Sequence, residues 1–256
     1  MVFSSILFLF QFLPAVFLIY YLTPKRAKNF VLLAASLVFY AWGEPKYIAI
    51  MFVSILVDYC AGLGISFGQA RGKHWLSRIF LGISLFVNLG LLSFFKYSNF
   101  IIENFSAATG LPLTALAITL PLGISFYTFQ TLSYSIDVYR GNVEAERNLI
   151  DFGAFVCLFP QLIAGPIVKY SDISRELKSR KISLEKINEG VSLFILGLGS
   201  KVLLANNIGM LWDDVGTLGY SRISMPLAWL GIFAFALQIY FDFSGYSLMA
   251  IGPKGN

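Results

Sequence analysis

A lysine, three aspartates and a glutamine lie inside or beside long apolar stretches, where a side chain that carries charge or exchanges a proton is costly to keep. Asp58, Asp137, Lys201 and Asp242 are the ionisable ones. Each is expected to pair, to line water, or to lie near the end of a span. Asp242 is the sharpest case. It sits in QIYFDFSGYS, residues 238–247, with Tyr240, Ser244 and Tyr246 around it. On a helix Gln238, Asp242 and Tyr246 are four apart and share one face. That face would offer amide, carboxylate and phenol together. It suits a hydroxylated or water-filled cavity, and equally an interhelical hydrogen-bond cluster that only holds the helices. Lys201, in LGLGSKVLLANN, either snorkels out of its span or pairs with an acid. Gln130, with Tyr127 and Tyr134 at helical spacing, forms a similar stripe, with plain span packing as the alternative.

FPQLIAGP, residues 159–166, is irregular in a different way. Its prolines break helical bonding, and Gly165 permits close backbone approach. Irregular backbone persists at membrane depth only where it faces protein or a water-filled cavity. Residues 152–168 therefore read as a re-entrant or broken helix, with a kinked structural span as the alternative.

These groups do not add up to a complete catalytic set. The single histidine, His74, lies in a basic loop and reads as a solvated side chain. There is no GxSxG elbow, phosphate loop or metal-spaced Cys/His set, so no metal is expected. Cys60 and Cys157 lie in apolar stretches and read as small packed hydrophobes.

The elements that hold these residues follow from composition. The chain has 256 residues, is 57% hydrophobic and only 13% charged. Soluble domains carry about 25% charged residues, so these values indicate an all-α polytopic membrane protein. The net charge is +5, but the basic residues fall in short loops between apolar spans. There they act as topology signals, and nucleic acid is not expected as a partner.

Spans are expected at residues 3–22, 30–42, 47–67, 79–95, 113–139, 191–210 and 226–247. The fifth should kink or break at Pro121 and Gly123. KYSNFIIENF reads as a connector, and Gly62 and Gly64 as a site of close helix packing. Residues 171–188 are polar with Ile173, Leu177, Ile182, Leu184 and Ile187 interspersed. They read as a helix lying on the inner membrane face, or as a solvated connector. No internal repeat or linker divides the chain, so residues 1–256 read as one membrane domain or a piece of one. Lys25, Arg26, Lys28, Arg71, Lys73 and Arg78 lie in alternate loops. The positive-inside rule then puts the N-terminus outside.

Several blocks resemble the membrane-bound O-acyltransferase family, in the bacterial branch that acetylates alginate and related exopolysaccharides. They are the first 47 residues, PLGISFYTFQTLSYSIDVYRG, FPQLIAGPI, LGLGSKVLLANN and LQIYFDFSGYS, in the family's order. The resemblance implies a helical ring around a funnel through the inner membrane. An acetyl thioester such as acetyl-CoA, not a bound cofactor, would meet a polysaccharide acceptor there. Membrane lipid and periplasmic acetyltransferases are implied partners. In that branch a histidine in a motif like WRRWH, shortly after the FDFSGYS block, acts as general base. These residues hold no such motif, so the catalytic histidine is expected to lie beyond Asn256. The chain is then expected to be the N-terminal part of a longer domain, inactive alone. Gln130, Lys201, Tyr240 and Asp242 are the expected funnel residues. A non-catalytic membrane scaffold and a transporter-like protein are the alternative functions.

Overall fold

Hydrocarbon offers backbone polar groups no partner but one another, so long apolar runs fold as helices. The computed structural model describes residues 4–162, 169–178, 183–219 and 223–250. Among them there are helices and no strand. They are α1 (Phe8–Leu22), α2 (Lys28–Gly43), α3 (Ile48–Ala70), α4 (His74–Thr109), α5 (Ile124–Arg140), α6 (Leu149–Cys157), α7 (Phe159–Leu162), α8 (Tyr170–Lys178), α9 (Leu184–Gly199), α10 (Asn206–Thr217) and α11 (Met225–Ala250). A π-helical turn, Ser200–Ala205, joins α9 to α10.

Four stretches are long and apolar enough to cross a membrane: Pro45–Ala70, His74–Thr109, Leu184–Thr217 and Met225–Ala250. Large apolar side chains stand fully outward along them. Phe86 is 80% exposed and Leu203 68%. Lipid solvates such faces and water does not. The chain is a polytopic helical membrane protein.

The helices gather into two compact units. One comprises residues 14–162 and 169–178; the other comprises residues 4–13, 183–219 and 223–250.

In the first unit α3, α4 and α5 pack around a polar knot. Asp58 is fully buried, and its carboxylate accepts from Ser84 Oγ (2.5 Å), from Asn88 Nδ2 (2.8 and 2.9 Å) and from Ser135 Oγ (3.4 Å). Neutral donors from two neighbouring helices thus satisfy the carboxyl group that the sequence places in an apolar span. Gly62 and Gly64 make the close approach expected of them. A Cβ at Gly62 would lie 2.6 Å from Tyr134 Oη, and one at Gly64 would lie 2.5 Å from the Phe80 ring.

Several expectations give way. Residues 113–139 are not one interrupted helix. α4 ends at Gly110, whose φ is +72°, and residues 110–122 carry no helix. Helix resumes only at Ile124, after Gly123 (φ +75°). Pro121 and Gly123 start α5 where a mid-span kink was expected. The non-helical stretch is held by Asn99, whose side chain donates to Leu116 O (3.1 Å) and accepts from Leu116 N (2.8 Å). KYSNFIIENF is part of α4, not a connector. At 1.5 Å per residue α4 is about 54 Å long and outreaches the hydrocarbon core. Cys157 is buried as expected, but Cys60 is exposed on α3. Asp137 lies near the end of α5, where Asn142 Nδ2 donates to it (3.1 Å). His74 is exposed at the start of α4.

The polar stretch 171–188 is also not one surface helix. Its first part is α8, and its apolar residues pack on protein. Tyr170 and Leu177 are buried in the core of the first unit, with Ile173 against it. Ile182 lies outside the described residues, and Leu184 begins α9 at 86% exposure. A protein surface presented by α5 and α6 takes the amphipathic face that sequence alone assigned to headgroups.

Candidate functional site

Two polar places stand out, one in each unit. In the second unit α11 packs along α9, the π turn and α10. Gly197 and Gly245 make this possible. A Cβ on Gly197 would collide with the Gly245 carbonyl, and a Cβ on Gly245 would lie 2.7 Å from the Gly197 carbonyl. Backbones that meet this closely need small residues at the crossing. Asp242 lies three residues before Gly245 and Lys201 four after Gly197. The close crossing therefore brings the two side chains together, and Lys201 Nζ donates to Asp242 Oδ1 in an ion pair. The Lys201 side chain is 14% exposed and that of Asp242 46%. The π turn contributes as well. Lys201 O accepts from the backbone N–H of Asn206, five residues on. Such turns recur at functional sites.

The remaining members of the stripe are close by. The Gln238 amide lies against α10, where a Cβ on Gly209 would stand 2.6 Å from its Nε2. Gln238 Oε1 is buried and has no hydrogen-bond partner among the described residues. Tyr246 is buried at 5% exposure. Tyr240 points elsewhere: it is 63% exposed, with its ring edge-on to Phe241. So Lys201 and Asp242 are brought together, Gln238 shares their face, and Tyr240 does not join them.

The second place is the helix break in the first unit. α6 stops at Cys157, Leu158 takes φ −49° and ψ 110°, and α7 begins at Phe159. A break strands the carbonyls and N–H groups that a continuous helix would pair. Two side chains repair it. Gln130 Nε2 donates to Phe155 O (2.9 Å), and Ser36 Oγ accepts from Phe159 N (3.1 Å). Phe155 O and Phe159 N are the pair an unbroken helix would have joined. Gln130 Nε2 also lies 3.4 Å from Gln161 Oε1. Gln130 is thus engaged with the break, from a position 4% exposed. Gly123 supports the same region: with its positive φ it lets the Leu162 carbonyl come where a Cβ would be. Residues 163–168, which include Gly165 and Pro166, lie outside the described residues.

The chain leaves and returns at one carboxylate. Glu146, 5% exposed, lies three residues before the start of α6 and accepts from Arg147 N (2.9 Å) and Asn148 N (3.0 Å). Its other oxygen accepts from Tyr170 Oη and from Lys178 Nζ (2.9 Å), both on α8. Glu146 thus ties the residues just before α6 to α8, beyond the helix break.

The general base expected from the resemblance has no counterpart among the described residues. His74, at the start of α4, is the chain's single histidine. The catalytic histidine was expected beyond Asn256, and residues 251–256, Asn256 included, lie outside the described residues. Among the described residues no group of three or more His, Cys, Asp or Glu is gathered as for a metal. Sequence reasoning singled out Lys201, Asp242 and Gln130 but missed Ser36, Glu146, Tyr170, Gly197 and Gly245. For the last two a signal was available. Gly197 and Lys201 are four apart, Asp242 and Gly245 three, so each glycine shares a face with a charge. Ser36 and Glu146 carry no local signal.

No family model matches the chain. Over 98% of its length it is 43% identical to the probable alginate O-acetylase AlgI of Pseudomonas syringae pv. tomato, of which it covers 49%. The corresponding protein of Pseudomonas aeruginosa is 42% identical over 98% of the chain, which covers 48% of it. The peptidoglycan O-acetyltransferase of Helicobacter pylori is 34% identical over 98% of the chain, which covers 53% of it. The chain thus spans about half the length of the curated relatives it matches.

Proposed function

We propose that the chain is a member of the membrane-bound O-acyltransferase family and forms the membrane-embedded N-terminal part of an O-acetyltransferase acting on a cell-surface polysaccharide. One observation carries this reading: the similarity to alginate O-acetylases runs through nearly the whole chain, the polar stripe and the helix break included. The acceptor is an alginate-like glycan and the donor an acetyl thioester such as acetyl-CoA. The protein lies in a bacterial inner membrane with its N-terminus outside, so the basic loops face the cytoplasmic donor.

In the proposed reaction a sugar hydroxyl attacks the thioester carbonyl. The new C–O bond forms, the C–S bond breaks, and the hydroxyl proton leaves through a base toward the departing thiolate. The resemblance assigns that base to a histidine in a motif like WRRWH, which these residues do not contain. What this chain supplies is the wall. Lys201 and Asp242 keep a charged pair inside an otherwise apolar bundle, where it can orient a hydroxylated acceptor. Tyr240 adds an exposed phenol from another side of α11. Gln130, in the first unit, contributes by holding the broken helix. Lipid surrounds the bundle, and periplasmic acetyltransferases are its proposed partners.

The test is a chimera in which this chain replaces the matching half of the P. aeruginosa alginate O-acetylase. In cells lacking their own enzyme, the chimera is expected to restore acetyl esters on secreted alginate. A chimera that reaches the membrane in normal amount yet leaves the alginate unacetylated would overturn the assignment.

A further inference from the structure

The loop before α6 holds a buried carboxylate that the proposed reaction does not use. Glu146 takes two backbone N–H groups on one oxygen, and the Tyr170 hydroxyl and Lys178 ammonium on the other. Its own N–H donates to Tyr134 Oη (2.9 Å) on α5, and Tyr59 on α3 donates to the next carbonyl, Arg147 O (2.6 Å). A second tie runs alongside. Asn29 on α2 donates to Asp151 Oδ1 on α6 (2.7 Å) and to Leu177 O on α8 (3.2 Å). One loop residue thus receives groups from both ends of the segment that contains the helix break. A carboxylate this buried and this fully donated to is a fixed point, because removing it strands several donors together.

We infer that Glu146 is a positioning residue that clamps the start of α6 to α8 and so sets where the broken helix sits in the first unit. This rests on the proposed function only in giving the broken helix a role. The clamp itself is a statement about position and can be read without any acetyl transfer.

Cys157 is the built-in reporter. It ends α6 at the break and is fully buried. A Cys60→Ala background leaves it as the sole thiol, since the chain has two cysteines. The probe is dithiodipyridine, an apolar disulfide that enters membranes and reacts with thiols down to acid pH. Its exchange with Cys157 forms a mixed disulfide and releases one measurable thiopyridone. In the full chain in membranes, Glu146→Ala and Tyr170→Phe are expected to speed the reaction of Cys157 at least tenfold. Glu146→Gln, which keeps an acceptor oxygen, is expected to restore part of the protection. Asn88→Ala weakens the Asp58 knot without touching the clamp. It is expected to leave Cys157 protected at a matched loss of thermal stability.

A pH profile separates the clamp from general loosening. Among the described residues, Tyr134 on α5 and Tyr170 and Lys178 on α8 contact Glu146; Tyr59 on α3 reaches the adjacent Arg147 carbonyl, and Asp151 on α6 lies near Tyr170. Burial by itself would raise the Glu146 pKa. The donors from Tyr170, Lys178 and the Asn148 backbone outweigh it and hold the carboxyl below its usual range. A depressed pKa means that the clamp is complete at neutral pH and is lost only as pH falls through the lowered value. Protection of Cys157 in the Glu146 protein should therefore hold from neutral pH down through the ordinary carboxylate range and fail only at lower pH. In Glu146→Gln that acid step should vanish. Unchanged protection in both Glu146→Ala and Tyr170→Phe would overturn the inference. So would equal exposure in Asn88→Ala, or an acid step that persists in Glu146→Gln. An unacetylated alginate in the chimera, with the labelling pattern intact, would instead strike only the proposed function.

Discussion

Lys201 on the π turn and Asp242 on α11 form an ion pair one helical turn from the place where the backbones of Gly197 and Gly245 meet. The two relationships have one cause. Small residues let the helices approach, and the approach puts an ammonium and a carboxylate within reach of each other. Asp242 is nearly half exposed, so the pair behaves as a partly solvated one. Asp242→Asn is expected to cost about 1 kcal/mol of stability, and Lys201→Met a similar amount. The double variant should lose less than the sum, with a coupling of about 0.5 kcal/mol or more. Thermal unfolding of the four proteins in detergent checks this, and strict additivity would mean that the pair contributes nothing.

The glycine crossing predicts a contrast between neighbouring positions. Gly245→Ala puts a methyl against the Gly197 carbonyl and should destabilise by about 1–3 kcal/mol. Gly199→Ala meets nothing within 4 Å. It should be neutral or raise stability by up to about 1 kcal/mol, through helix propensity alone. Equal effects at the two positions, measured as shifts in thermal midpoint, would refute the close packing.

The Asp58 knot predicts an asymmetry between partners. Asn88→Leu removes both amide bonds to a carboxylate that has no exposed surface. The expected loss is about 3 kcal/mol, since a buried carboxyl is left without its donors. Asp58→Asn still offers an acceptor oxygen to the same donors, so it should cost less, about 1 kcal/mol. The order of the two midpoints is the test.

At the helix break, Gln130→Leu leaves Phe155 O without its donor and Ser36→Ala leaves Phe159 N without its acceptor. Each should cost about 1–3 kcal/mol. Both variants should also speed the reaction of Cys157 with dithiodipyridine, because the break they support lies beside it. Stability and labelling that both stay at the parent level would show that the break does not depend on these bonds.

Much of this architecture was legible in the chain because hydrocarbon acts on simple properties. Apolar length marks the spans, proline in FPQLIAGP marks a break, and a charge in grease demands a partner. Lys201 and Asp242 could be singled out for that reason. Their pairing was left open, since spacing within α11 says nothing about which helix lies opposite. Local pattern failed where tertiary contact decides. Residues 113–139 are apolar enough for a span, yet Gly110, Gly123 and the grip of Asn99 on Leu116 keep their first part out of helix. Residues 171–178 have the amphipathic pattern of a surface helix, yet Tyr170, Ile173 and Leu177 find protein in place of headgroups. Glu146 carries no local signal, because its partners on α8 are 24 and 32 residues away in the chain.

The most direct test of the proposed acetyltransferase uses inverted membrane vesicles that hold the chimera, with this chain in place of the matching half of the P. aeruginosa enzyme. Radiolabelled acetyl-CoA is supplied outside, at the face that was cytoplasmic, and polymannuronate is sealed within. The account predicts alkali-labile label on the polymer, reduced at least tenfold in the Lys201→Met and Asp242→Asn chimeras. Polymer that stays unlabelled beside a correctly inserted chimera, while vesicles with the intact P. aeruginosa protein label it, would contradict the account.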